Sequence, residues 1–147
     1  MISEWTQRAL TDLRTNLALR AWQRHSLVLA VAGTVYALVG VSYILSEANA
    51  ARESSLRIAL AWMPFDGWGV VWIITGLLAI LSSRWPPASE TWGYTTMTGL
   101  SAAWSAFYLF GIFLGAPAQG FSGVLVWGLM AFLWWAISGL VNPVRKA

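Results

Sequence analysis

Residues 26–45 read SLVLAVAGTVYALVGVSYIL, and this stretch decides the fold. It carries no charged residue. About 20 apolar residues rising ~1.5 Å each reach across a hydrocarbon core of about 30 Å. Arg8, Arg14, Arg20 and Arg24 all precede it and none lies inside it. A soluble domain of 147 residues has too little other apolar surface to cover such a rod on every side. The stretch therefore predicts a transmembrane helix.

Composition points the same way. Hydrophobic residues make up 58% of the chain and charged residues 10%, against about 25% charged in an ordinary soluble domain. That deficit indicates an integral membrane protein rather than a globular enzyme, and the length allows one domain. The eleven tryptophans suit the membrane–water boundary, where the indole ring is buried while its N–H stays wet. The net charge of +3 is carried by basic residues at the ends of apolar runs. Anionic lipid headgroups, not nucleic acid, are the partner this placement predicts. Cysteine is absent, so there is neither a disulfide framework nor thiol chemistry.

Working outward from residues 26–45, the leader 1–25 places Ile2, Trp5, Ala9, Leu13 and Leu17 at steps of three and four. This spacing predicts an amphipathic helix lying on the cytoplasmic leaflet or docking on a partner or another copy. Ala48-Asn49-Ala50 resembles a signal-peptidase site. A signal h-region is shorter, about 7–15 residues, and starts earlier, so a retained anchor is the better reading. Arg52, Leu56, Ala59 and Leu60 suggest a short amphipathic helix stopping near Met63-Pro64. Three further apolar runs follow, giving spans at about 26–46, 67–83, 93–115 and 121–141 within one domain, 26–147. Pro86-Pro87 predicts a tight turn, and the short connection 116–120 makes the third and fourth spans antiparallel neighbours. The expected class is all-α: an antiparallel bundle of four transmembrane helices preceded by an amphipathic one.

Four spans place both termini on one side. Seven basic residues then fall on the terminal side: Arg8, Arg14, Arg20, Arg24, Arg84, Arg145 and Lys146. Arg52 and Arg57 alone fall on the other. The positive-inside rule makes both termini cytoplasmic in a bacterial inner membrane, with those seven residues toward lipid headgroups. Trp22, Trp85 and Trp92 fit the inner boundary, and Trp62 and Trp68 the outer. Trp104, Trp127, Trp134 and Trp135 lie too deep in their spans for that role. An echo between residues 76–81 and 128–133 does not bring the other spans into register, so it is no repeat.

In lipid, helices associate through small residues that let backbones approach. Ala30, Gly33, Ala37 and Gly40 form such a seam in the first span. Gly69, Gly76 and Ala79 follow in the second span, and Thr98, Ser101 and Ser105 in the third. These serve packing within the bundle or self-association into a homo-oligomer. Ser101, Ser105, Tyr108 and Thr75 allow a weakly polar path, although such hydroxyls more often bond the preceding helical turn. No Asp, Glu, Lys, Arg or His lies inside a span, which disfavours ion-coupled transport and voltage sensing. His25 is the only histidine, so no metal site assembles around it. It serves as an interfacial residue or a pH sensor. No nucleophile, metal or nucleotide motif occurs, and no enzyme or cofactor is expected.

Further residues carry a resemblance. Met63-Pro64-Phe65-Asp66-Gly67-Trp68-Gly69 leads into Trp72 and Gly76. Trp92-Gly93-Tyr94 opens the third span, which contains Trp104 and Tyr108; Trp127 and Asn142-Pro143 mark the fourth. In this layout the chain resembles small four-span membrane proteins of actinobacterial phages regarded as holin-like. The resemblance implies a protein that accumulates in the inner membrane, self-associates and opens a lesion for host lysis. A non-catalytic accessory or exclusion factor binding another membrane protein is the competing expectation. A small transporter or channel subunit is the third.

Overall fold

The computed structural model describes residues 25–46, 50–84, 88–117 and 120–139. Residues 1–24 of the predicted leader, Ala48 and Asn49 of the small-x-small site and the turn at Pro86-Pro87 lie outside them, as do all the proposed headgroup-contacting residues except Arg84. Six helices are described: α1 (His25–Leu45), α2 (Ala50–Ser55), α3 (Arg57–Trp62), α4 (Phe65–Ser82), α5 (Ala88–Phe113) and α6 (Gly120–Gly139). The four long ones, with α5 counted from Thr91, are apolar enough to cross a membrane.

The spans sit close to where hydropathy puts them, and the differences have local causes. Span two begins at Phe65, two residues early, because extended Pro64 (φ −64°, ψ 164°) caps α4 and Asp66 occupies its first turn. A proline whose own N–H is absent suits a helix start, and an acidic side chain there meets the positive end of the dipole. Span three begins five residues early, at Ala88. The connection after span one folds into two short helices, broken at Leu56 (φ −105°, ψ 21°) and stopped at extended Met63.

Sequential long helices run antiparallel. Ser26 at the start of α1 donates its hydroxyl to the Ser83 carbonyl after α4 at 2.6 Å. Near the opposite end, Gly40 meets Gly69. The α1–α4 contact is a backbone crossing through glycine. A Cβ on Gly33 would stand 2.6 Å from the Gly76 carbonyl oxygen, and one on Gly69 would stand 2.8 Å from that of Gly40. The reciprocal additions, on Gly76 and Gly40, meet the Gly33 and Gly69 carbonyls closer still. Ala37 and Ala79 line the same seam, Ala79 fully buried. Helix α5 lies antiparallel to α4, and α6 packs back along α5 with Gly123 against the Tyr108 ring.

The outward faces carry Leu, Val, Phe and Ile, including Leu38, Val70, Leu77, Phe110 and Leu129. Two outward hydroxyls bond within their own helices: Thr34 donates to the Ala30 carbonyl and Thr96 to that of Trp92. Back-bonding of this kind leaves a threonine compatible with an apolar surround.

The glycine crossing yields a direct contrast. Leucine at Gly40 must part α1 from α4, and overpacking of this kind costs about 1–3 kcal/mol or more. Gly99 has open space where its Cβ would stand, so leucine there is expected to gain a few tenths of a kcal/mol through helix propensity. Thermal unfolding in detergent, followed by circular dichroism, should show a clear fall for Gly40→Leu and none for Gly99→Leu.

Candidate functional site

Between the four long helices the interior is a column of aromatic rings. It starts at the His25 end of the bundle, where the Tyr94 ring meets the His25 ring edge-on at 6.5 Å. Trp134 of α6 is 6.3 Å from Tyr94 and 6.4 Å from Tyr36. Tyr36 lies 5.0 Å from Trp72, which also touches Trp127 at 4.8 Å and Trp104 at 5.3 Å. Tyr43 continues the column, stacked on Trp72 and on Phe65. Above it the Arg52 guanidinium sits 4.8 Å from the ring centroid, at the Leu45 end. Such aromatic pairs contribute about 0.5–1.5 kcal/mol each beyond burial, which compensates in lipid for the missing hydrophobic drive between helices.

Several polar atoms of these rings are paired across helices. The Trp134 indole N–H donates to the Tyr36 hydroxyl at 2.8 Å. That hydroxyl also bonds Ser101 Oγ and lies 3.4 Å from the Met97 carbonyl, so one oxygen ties α1, α5 and α6 together. About two turns further along α1, the Trp104 N–H donates to the Tyr43 hydroxyl at 2.9 Å. Trp72 and Trp104 are wholly enclosed. The Trp72 N–H has no hydrogen-bond acceptor among the described residues, nor has the Thr98 hydroxyl a partner. The Trp104 ring stands at 89° to that of Trp72, an edge-to-face geometry that the aromatic quadrupole favours.

The proposed packing residues fall in several places. Gly33, Ala37, Gly40, Gly69, Gly76 and Ala79 lie in the α1–α4 crossing, while Ala30 is half-buried on α1. Ser101 is fully buried against Tyr36, whereas Ser105 donates to the Val124 carbonyl of α6 at 2.9 Å. Thr75 is buried on α4, and Tyr108 is half-buried against Gly123. The two serines clasp different helices. With Trp72, Trp104 and Tyr36 filling the interior, the alternative of a weakly polar path meets solid rings. Arg84 is exposed at the His25 end.

The deep tryptophans resolve into distinct roles. Trp104 and Trp134 belong to the core and Trp127 is half-buried against it, while Trp135 remains 65% exposed. Trp62 and Trp92 are exposed near helix ends, and Trp68 anchors α3 by donating to the Ala59 carbonyl at 2.9 Å. Tyr36 and Tyr43, which the sequence reading did not single out, are central. The available signal was a phenol in mid-span, which must find a hydrogen-bond partner there.

The fold and site define a closed helical bundle with four membrane-length apolar helices and an aromatic interior. No protein family, no curated protein and no solved structure matches the chain.

The Tyr36 hydroxyl offers the sharpest check of this site. Tyr36→Phe strips a partner from both Trp134 and Ser101, and interhelical hydrogen bonds in membranes couple by about 0.6 kcal/mol on average and up to ~1.7. A loss of about 1–2 kcal/mol in detergent unfolding is expected. Trp134→Phe should then cost less in the Tyr36→Phe background than in the native chain, and equal costs in both would refute the bond.

Proposed function

We propose that the chain is a non-catalytic, multi-pass protein of a bacterial cytoplasmic membrane, with both termini inside. In this reading it is holin-like: closed as a single bundle, and permeabilising only after many copies assemble. The observation that carries the reading is the solid interior, with Tyr36, Trp72 and Trp104 enclosed where a lumen would run. A lone bundle then offers ions no wet route, so any lesion has to form between bundles. The same feature weighs against a transporter or channel subunit.

Assembly needs a contact surface, and the glycine seam of α1 and α4 is already occupied inside the bundle. A second group of small residues is exposed: Thr95, Gly99 and Ala102 share one face of α5, between the bulkier Trp92 and Phe110. Small residues on a lipid-facing helix permit close approach by another helix. This supports homo-oligomerisation through α5.

The accessory reading keeps one specific support. The exposed faces of α1 and α6 are built from Leu, Val and Phe with no polar stripe to line a wide aqueous hole. Such faces suit lipid, and they take a partner's helix only where that helix brings the small residues.

Induced expression in a bacterial host separates the two. A potential-sensitive dye should report abrupt depolarisation after a delay for the native chain. Gly99→Leu, whose side chain projects into open space, should accumulate normally but shift that delay. Membrane accumulation with an unchanged potential would favour the accessory role.

A further inference from the structure

A groove of about 390 Å³ runs between the first half of α1 and the second half of α6. Leu27, Val31 and Val35 form one wall, Met130 and Trp134 contribute the other, and Tyr36 lies in its floor. Its surface is wholly apolar. The two polar atoms nearest to spoiling that character, the Trp134 N–H and the Tyr36 hydroxyl, are bonded to each other at 2.8 Å. We propose that this groove holds an acyl chain of an anionic phospholipid from the leaflet at the His25 end of the bundle.

Length and charge select that occupant. From Leu27 to Val35 is eight residues, about 12 Å at the helical rise, close to the roughly 15 Å of a single leaflet. An empty apolar furrow at that depth forfeits dispersion contacts along its walls, and a flexible alkyl chain restores them. Arg84 is exposed at the His25 end, beside the Ser26–Ser83 contact. Positive charge at that level attracts anionic headgroups. The walls are branched and bulky rather than small, which is poor ground for a second helix. The arginine-bearing leader is disfavoured at hydrocarbon depth. The inference needs the chain to sit in a bilayer but is independent of any role in lysis.

The test uses the purified full chain in detergent, titrated with dioleoyl phosphatidylglycerol or dioleoyl phosphatidylcholine and read by native mass spectrometry. One phosphatidylglycerol should be retained about fivefold more tightly than phosphatidylcholine, the preference that roughly one basic residue near the headgroup provides. Val31→Trp, at a position already 56% exposed, should fill the groove and reduce retention at least tenfold with no fall in thermal stability. Leu38→Trp, exposed on α1 one turn beyond the groove, should leave retention unchanged. Equal retention by the two tryptophan variants overturns the groove as the site, and equal retention of the two lipids overturns the anionic assignment. The chain has no native cysteine, so Val31→Cys is a unique reporter. Disulfide-linked dimers of it in membranes would put a second copy in the groove and overturn the proposal.

Discussion

The backbone crossing of α1 over α4 is the constraint on which the rest of the bundle depends. Gly33 against Gly76 and Gly40 against Gly69 remove four side chains from the contact, and the two main chains meet through carbonyl oxygens and Cα hydrogens. Where lipid tails are as apolar as leucine, burial itself drives little association, so what remains is contact quality. The two glycine pairs lie seven residues apart on each helix, which keeps the helices side by side over two turns. That approach brings Tyr36 and Tyr43, also seven apart on α1, onto Trp72 of α4.

From that seating the aromatic column follows. Trp72 can be enclosed by Tyr36, Tyr43, Trp104 and Trp127 because α1 stands so close to α4. The polar ends of Tyr36 and Tyr43 then become acceptors for Trp134 and Trp104. The two short helices close the Leu45 end. Leu56 and Ala59 are buried there, and Arg52 lies over Tyr43. A bundle filled and capped in this way leaves the Gly99 face of α5 and the α1–α6 groove open on its outside.

The fold was largely legible because span length and charge placement are properties of the chain itself. Uncharged runs of about 20 residues announce four helices wherever their partners lie. The seam was legible too, as the 30-33-37-40 stripe, but not its partner: the same spacing serves a neighbouring helix or a second copy. Tryptophan depth was the least readable feature. An indole settles at the interface or in the core according to whether its N–H finds an acceptor. For Trp104 and Trp134 those acceptors are tyrosines 61 and 98 positions away. The early start of α4 at Phe65 came from Pro64 and Asp66, which hydropathy counts as interruptions although both favour a helix start.

The glycine crossing is tested most directly by a double-mutant cycle at one pair. Gly33→Ala, Gly76→Ala and the double variant of the full chain would be unfolded thermally in the same detergent. Each single substitution should force α1 and α4 apart at a shared contact, so the double variant should cost clearly less than the sum of the singles. Strictly additive costs, or two well-tolerated alanines, would mean that the helices do not meet there.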